Sequence, residues 1–210
     1  MLGKTHRAGG CAAALIAFEV MRAKGWLLPE TNEFIQLAMM YPLASWGSIF
    51  PDLDHGKDSI PDKDPVSYAV NWFLRKTGAK HRSWQTHSIL VTGGFCLLLY
   101  SIIFVLNAII GVQDDVGWAY LRLSTIGFIA GVVSHFVLDA FTTAGIHVYP
   151  GLKLRFVPKT SAFATGGLWE KIIFYILIAI IVIILFRILL IELDLSIIEM
   201  LVNKLASLRG

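Results

Sequence analysis

The stretch "GFIAGVVSHFVLDA", residues 127–140, combines an apolar helical pattern with two ionisable side chains that are costly at membrane depth. Gly127, Gly131, His135 and Asp139 recur every four residues, so they lie on one stripe of a helix. Small residues on such a stripe allow a neighbouring helix to approach closely. The stripe therefore predicts a tight helix contact that leads to an imidazole and a carboxylate on the same side of the helix end.

The rest of the chain has the composition of a membrane protein. Apolar residues (AVILMFWYC) make up 56% of the 210 residues, and the mean hydropathy is +0.66, which is above that of a typical soluble domain. Segments 34–51, 88–113 and 172–186 contain no charged residue. Because a spanning helix requires roughly 20 mostly apolar residues, the sequence predicts an all-α, polytopic membrane helix bundle.

We expect about five spanning helices in one membrane-embedded domain, residues 1–210. They cover residues 5–23, 34–50, 86–110, 118–141 and 168–191. The first is expected to be an uncleaved helix, because Glu19, Arg22 and Lys24 follow its apolar part where a signal peptide would have small residues. Apolar residues at helical spacing over 195–208, interrupted by charges, predict a separate interfacial helix.

Four polar motifs fall at the ends of these predicted helices: "TH" (5–6), "PDLDH" (51–55), "HRSWQTH" (81–87) and "SHFVLD" (134–139). Because each spanning helix reverses the direction of the chain, all four lie on the same membrane face, here called the motif face. They contain five of the six histidines, namely His6, His55, His81, His87 and His135. Imidazoles and carboxylates are common ligands of divalent metals, so the arrangement predicts one shared metal site.

Other polar residues receive weaker interpretations. His147 lies outside the pattern and is predicted to be a structural loop residue, while Cys11 and Cys96 are predicted to pack in apolar helices. Glu170, at the start of the last spanning helix, is equally compatible with a supporting role at the site and with none. Arg82 is either a charge that sets topology or a contact to a phosphate.

The 18 lysines and arginines are distributed unevenly between the two faces. Twelve lie on the motif face: Lys4, Arg7, Lys57, Lys63, Arg75, Lys76, Lys80, Arg82, Lys153, Arg155, Lys159 and Lys171. Four lie on the opposite face: Arg22, Lys24, Lys204 and Arg209. The remaining two, Arg122 and Arg187, lie within predicted spans. By the positive-inside rule the motif face is cytoplasmic. A net charge of +3 without a basic stripe gives little support to nucleic-acid binding.

The segments "THRAGG" (5–10), "GSIFPDLDH" (47–55), "HRSWQTHS" (81–88) and "GVVSHFVLDAFTTAGIHVYP" (131–150) resemble the YdjM-type family of inner-membrane-associated metal-dependent hydrolases. The resemblance covers residues 5–150 and implies a multi-pass protein of the inner (plasma) membrane. The family is distantly similar to zinc-dependent phospholipase C, an all-helical enzyme with clustered zinc ions. Two or three zinc ions, or manganese, are thereby implied. The implied ligands are His6, Asp52, Asp54, His55, His81, His87, His135 and Asp139.

These expectations favour a membrane-bound hydrolase. Because the sequence contains neither a Gly-rich phosphate loop nor a convincing nucleophile triad, hydrolysis would use metal-activated water. Asp52 or Asp54 would accept the proton and Arg82 would contact the phosphate. A site at headgroup depth favours a phosphoester of a membrane lipid or lipid-linked substrate. Two alternatives remain open: a divalent-metal transporter, whose ligands would line a path through the bilayer, and a scaffold whose metal is fully coordinated by protein.

Overall fold

The computed structural model describes residues 1–29, 31–55, 64–80, 82–110, 116–158, 160 and 162–207. It is mainly helical, with one short β-hairpin. The helices are α1 (Gly3–Ala23), α2 (Glu33–Gly47), a 3-10 helix (Phe50–Asp54), α3 (Pro65–Lys76), α4 (Ile89–Ile110), α5 (Val116–Ala140) and α6 (Leu168–Ser207). Strands β1 (Ile146–Tyr149) and β2 (Leu152–Leu154) form the antiparallel hairpin between α5 and α6.

Three of the described helices are long and apolar enough to cross a membrane: α4, α5 and residues Leu168–Ile191 of α6. The expectation of five spans is met for these three. Helix α2 has only 15 residues, which is shorter than a bilayer crossing requires. Helix α1 has 21 residues but is much less apolar, and its Glu19 forms ion pairs with Arg22 and Arg187.

Helices α1, α2 and α5 pack against one another as a central unit, and the contact between α2 and α5 is the most extensive. Gly127 and Gly131 make this contact close. A Cβ atom at either position would collide with a backbone carbonyl oxygen of α2, that of Met40 or Ala44 respectively. The predicted role of the glycine stripe is therefore confirmed, and the neighbouring helix is α2. This contact aligns the end of α5 with the residues that follow α2.

Helices α4 and α6 lie outside the central unit. Helix α4 packs on α5 and on β1, while α6 packs on α1. Only 17% of the apolar window of α4 and 11% of that of α6 is buried, compared with 50% for α5. Large apolar side chains are exposed along both, including Leu97, Leu98, Ile183 and Phe186. Such continuous apolar surfaces fit a lipid environment.

Two helical regions lie outside the five predicted spans. The first agrees with the sequence, which predicts loops or short helices over residues 51–85, and the second differs from it. Helix α3 forms within the polar segment 51–85, where Asp64 caps it by accepting hydrogen bonds from the backbone N–H groups of Val66 and Ser67. Helix α6 continues without a break to Ser207, so the separate interfacial helix expected over 195–208 is a continuation of α6. The sequence has neither glycine nor proline between Leu168 and Ser207, so nothing local ends the helix at Ile191.

Candidate metal centre

Residues of all four sequence motifs meet at one end of the molecule. Asp52 comes from the 3-10 helix, and His87 lies two residues before α4. His6 belongs to the first turns of α1, while His135 and Asp139 belong to the last turns of α5. We call these five residues the histidine–aspartate cluster. All five are buried, with exposed fractions of 0–4%.

The donor atoms of the cluster are close enough to share metal ions. Two groups of three have one donor atom each within 4.8 Å of the others: His6, Asp52 and His135, and also His87, His135 and Asp139. The imidazole rings of His6 and His135 are stacked, with centroids 3.9 Å apart. The ring of His87 lies 5.4 Å from that of His135. His135 is common to both groups and lies at the centre of the cluster.

The backbone fixes the tautomer of His135. Its Nδ1 lies 2.7 Å from the carbonyl oxygen of Ser48. Because a carbonyl can only accept, Nδ1 carries the proton and Nε2 keeps a free lone pair. Ser48 lies directly after α2, where the contact with Gly131 brings the two backbones together. The close helix contact thus orients a histidine whose other nitrogen is available as a ligand.

His87 is held between two carboxylates. Its Nε2 lies 3.1 Å from Asp52 Oδ1, and its Nδ1 lies 3.5 Å from Asp54 Oδ2. The Thr86 hydroxyl donates to the same Asp54 oxygen at 2.5 Å and lies 3.1 Å from His87 Nδ1. Asp54 and Thr86 therefore orient the ring from its Nδ1 edge, while Nε2 points to Asp52 of the cluster.

The carboxylates and imidazoles also set the protonation of this side of the cluster. Burial acts to lower the pKa of His87, but hydrogen bonds with Asp52 and Asp54 outweigh it and raise the pKa to about 9. Burial acts to raise the pKa of Asp52, but the imidazoles of His135, His87 and His6 hold it below its usual range. Without a metal, His87 is therefore protonated at neutral pH, and a metal at Nε2 would displace that proton.

Several buried polar atoms of the cluster have no hydrogen-bond partner among the described residues. They are both ring nitrogens of His6, Nε2 of His135 and Oδ2 of Asp139, although His6 Nε2 lies 3.3 Å from Asp139 Oδ1. Buried polar atoms are usually hydrogen-bonded, because leaving one unpaired costs roughly 1–3 kcal/mol. Nε2 of His6 lies 3.3 Å from Oδ1 of Asp139, and Nε2 of His135 lies 3.8 Å from Oδ2. These nitrogen and carboxylate donors converge, so the residues present fit a divalent metal.

Positive groups already contact the carboxylate of Asp139. The amino group of Met1 donates to Oδ1 at 2.8 Å, and an Arg82 guanidinium nitrogen lies 3.6 Å from Oδ2. The side chain of Arg82 is 30% exposed, and its backbone φ of 56° lies in the left-handed region that non-glycine residues seldom occupy. Arg82 therefore bridges the buried cluster and the surface.

The remaining predicted residues are placed less centrally. His55 lies at the edge of the cluster, where its Nδ1 is 2.7 Å from the carbonyl oxygen of Asp52 and 4.0 Å from Asp54 Oδ1. The Asn71 side chain of α3 donates to the carbonyl oxygens of Leu53 and His55, and so holds this segment in place. His81 lies outside the described residues.

Glu170 and His147 lie outside the cluster. The buried Glu170 accepts hydrogen bonds from the backbone N–H groups of Leu2 and Gly166, at 2.5 and 2.6 Å. It fixes the start of α1 and the loop before α6. The backbone N–H of His147 donates to the carbonyl oxygen of His87, which ties the hairpin to the segment before α4.

Sequence reasoning missed the contributions of Ser48 and Asn71. Both act through backbone carbonyl groups, Ser48 as the acceptor for His135 and Asn71 as the donor to Leu53 and His55. A short motif carries no sign of such contacts, because the partners are 87 and 16–18 residues apart in the chain. The hydroxyl of Thr86 was detectable, since it directly precedes His87 in the third motif.

Taken together, the apolar helices and the buried cluster define an α-helical membrane protein with a candidate metal site at the ends of two helices that are long and apolar enough to span. The chain belongs to the YdjM inner membrane protein family, whose sequence profile matches residues 1–202. Comparisons with curated proteins and with solved structures each return no match.

Proposed function

We propose that this protein is a membrane-bound, metal-dependent hydrolase that cleaves a phosphoester of a lipid or lipid-linked substrate. The observation that carries the proposal is the convergence of buried imidazole and carboxylate donors in two groups of three, in which Nε2 of His135 has no hydrogen bond. Unpaired buried groups destabilise the fold, and a bound ion would satisfy those of the cluster. A cluster that binds metal leaves them free for the ion.

The residues that would hold metal are those of the histidine–aspartate cluster, with His55 at its edge as a further candidate. His81 stays a candidate from the sequence alone. Zinc suits the mixture of imidazole and carboxylate donors, and manganese is the second choice. We propose two or three ions, since the overlapping donor groups exceed what one tetrahedral ion needs. When bound, the ions would acidify a water molecule and neutralise charge on the phosphate.

The two aspartates of the second motif would have different roles. Asp54 is engaged by the hydroxyl of Thr86 and lies against Nδ1 of His87, which suits it to orient that ring. Asp52 faces the cluster, with its oxygens 3.1 Å from His87 and 3.9 Å from His6. Of the two, Asp52 is therefore the one placed to accept a proton from the attacking water. The lowered pKa of a metal-bound water would offset the weak basicity of this carboxylate.

Arg82 is the candidate contact to the substrate phosphate. Its guanidinium group lies beside Asp139 and is partly exposed, so it can reach both the cluster and an incoming anion. A guanidinium can bind two phosphate oxygens at once, which would orient the phosphoester. Because its contact to the cluster is through a carboxylate, its removal should leave the donor atoms in place.

The position of the cluster supports a substrate that comes from the membrane. The cluster lies where α4 begins and α5 ends, and both helices are long and apolar enough to span. The ends of spanning helices lie near the lipid headgroups. We propose that the motif face is cytoplasmic, on the strength of the lysine and arginine distribution. A lipid-linked phosphoester would then reach the site by lateral diffusion.

The proposal is tested by a substrate panel. Metal-loaded protein in detergent micelles and in liposomes is incubated with phospholipids, a polyprenyl phosphate, soluble phosphoesters and nucleic acid. We expect hydrolysis of a lipid substrate that chelation abolishes and added zinc or manganese restores. Cleavage of soluble phosphoesters or nucleic acid without any lipid would exclude the lipid substrate while leaving a hydrolase.

Two variants and one transport measurement sharpen the panel. Asp52→Asn should abolish turnover, whereas Arg82→Ala should lower turnover with the metal content unchanged. Uptake of radioactive zinc into proteoliposomes without hydrolysis would instead identify a transporter. A stoichiometric metal with no vacant coordination position and no hydrolysis would identify a scaffold, since catalytic sites keep a position open.

A further inference from the structure

An apolar groove runs between α4 and α5 on the surface that these helices expose to lipid. It has a volume of about 510 Å³. On α4 its walls include Ile89, Gly93 and Tyr100, and on α5 they include Ile126 and Phe136. The lining residues are apolar apart from the thiol of Cys96 and the hydroxyl of Tyr100. The groove is thus a continuous hydrocarbon-like surface along the contact of two spanning helices.

The groove is open at Gly93. A Cβ atom built there would have no heavy atom within 4 Å, which contrasts with the collisions at Gly127 and Gly131. Glycine weakens a helix interior by roughly 1 kcal/mol relative to alanine, and no close helix contact requires it at this position. Its effect is to leave space that a larger side chain would fill.

One end of the groove lies beside the histidine–aspartate cluster. Phe136 lines the groove, and its ring lies edge-on to that of His135 with the centroids 5.9 Å apart. Ile89, which also lines the groove, follows His87 by two residues. A molecule that occupies the groove would therefore have one end next to the candidate metal ligands.

The length of the groove matches one leaflet of a bilayer. The eleven residue steps from Ile89 to Tyr100 correspond to about 17 Å of helix, and half of the hydrocarbon core is about 15 Å. A partner helix would instead contact α4 over most of its 22 residues. The occupant that fits is one hydrocarbon chain whose headgroup lies at the cluster.

We propose that the α4–α5 groove binds one hydrocarbon chain of the lipid substrate and thereby places its phosphate at the cluster. This inference rests on the proposed function and names how its substrate is positioned. Moving a chain from the bilayer into an apolar groove brings little hydrophobic gain, because both surroundings are apolar. The groove would act by orientation: it would fix the position of the headgroup relative to the metal ligands.

Gly93 and Gly94 provide a matched pair of test positions. Both have open space where a Cβ would lie, but Gly93 lines the groove and Gly94 is exposed outside it. Gly93→Leu should fill the groove, whereas Gly94→Leu should add a side chain to the lipid-facing surface. Val133→Phe fills the groove from α5 and serves as a second filling variant if Gly93→Leu does not fold.

The binding measurement uses metal-loaded, full-length protein in nanodiscs with a phospholipid that carries a diazirine in the middle of one acyl chain. After illumination, mass spectrometry locates the labelled residues. We expect labelling to concentrate on groove residues, to be lost in Gly93→Leu or Val133→Phe, and to persist in Gly94→Leu. Labelling spread evenly over the exposed faces of α4 and α6, and unchanged by the filling variants, would show ordinary boundary lipid and overturn the proposal.

The activity measurement compares a long-chain lipid with a water-soluble short-chain analogue. Filling the groove should lower the long-chain rate on the order of tenfold, because the phosphate is no longer held in place, while the short-chain rate and the metal content stay unchanged. Equal long-chain rates in the wild type and the filling variants would refute the groove and leave the hydrolase intact. If neither the wild type nor any variant hydrolyses a substrate, the proposed function fails. The labelling pattern alone then decides whether the groove binds a chain.

Discussion

Helix α5 has two contrasting sides. Towards α2, its glycines bring two backbones together so closely that Gly127 and Gly131 have no room for a side chain. Towards α4, Gly93 faces open space and a groove of about 510 Å³ separates the helices. The first side carries the stripe that ends in His135 and Asp139, and the second is apolar and exposed to lipid.

The difference between the two sides follows from the way helices associate in a bilayer. In a bilayer, apolar side chains have no hydrophobic reason to leave lipid, so helices associate through close packing and polar contacts. The α2–α5 side has both: glycine contacts and the hydrogen bond from His135 to the carbonyl oxygen of Ser48. The α4–α5 side lacks such contacts and leaves the groove that we propose binds a lipid chain, while the α2–α5 side holds donor atoms in fixed positions.

The largest effect is expected when the side of α5 that carries His135 and Asp139 loses a candidate metal ligand. Asp139→Ala should lower metal affinity by more than about 100-fold. Losses of 10–100-fold already follow when a residue that only supports a ligand by hydrogen bonding is changed. Isothermal titration with zinc in detergent measures the affinity. His147→Ala is the control, since His147 lies outside the cluster, and its affinity should equal that of the wild type. Unchanged affinity in Asp139→Ala would remove this carboxylate from the site.

The next effect concerns the residue that orients His87 from behind. Thr86→Val keeps the shape of the side chain but removes the hydroxyl that donates to Asp54. We expect metal affinity to fall by about 10-fold to 100-fold. The same titration, together with a circular dichroism spectrum that matches the wild type, checks it. Wild-type affinity would mean that Asp54 alone orients the ring.

The two sides of α5 should respond oppositely to one added methyl group. Gly131→Ala forces α2 away from α5 and should destabilise the protein by about 2 kcal/mol, as overpacking does. Gly93→Ala, on the α4 wall of the groove that faces α5, meets no atom and should be neutral or stabilise by up to about 1 kcal/mol through helix propensity. Thermal unfolding in detergent compares the pair. Similar destabilisation in both variants would remove the distinction between the two sides.

The smallest effect is expected outside both sides, in α3. Asp64→Ala removes the cap that accepts from Val66 and Ser67 and should destabilise this helix by about 1 kcal/mol. Hydrogen exchange should increase in α3 and stay unchanged in α5. Faster exchange in α5 as well would show that the 3-10 helix and α3 fold together with the part of α5 that carries the histidine–aspartate cluster.

Much of the side of α5 that carries His135 and Asp139 could be predicted from the sequence. The four-residue spacing of Gly127, Gly131, His135 and Asp139 specifies a stripe without any knowledge of the fold. The histidine motifs at helix ends predicted that His6, His87 and His135 would lie on one face, and the structure brings these three together. Local periodicity suffices here because a helix converts spacing directly into geometry.

Contacts between distant segments were not predictable in this way. The pairing of His87 with Asp52 joins residues 35 positions apart, and which aspartate of "PDLDH" faces the cluster depends on the turn of the 3-10 helix. The groove depends on the rotation of α4 about its axis, which places Gly93 in the groove and leaves Gly94 exposed outside it. This rotation cannot be predicted from the apolar pattern of α4, because that pattern is nearly uniform around the helix.

The central claim is that the buried histidine–aspartate cluster binds metal. Its most direct test is the metal content of the purified protein, combined with X-ray absorption at the edge of the metal found. The wild type should retain zinc or manganese in stoichiometric amounts, coordinated by imidazole nitrogen and carboxylate oxygen. The His6→Ala and His135→Ala variants should lose metal and His147→Ala should not. Folded wild-type protein that binds no divalent metal, or full metal content in both His6→Ala and His135→Ala, would contradict the claim.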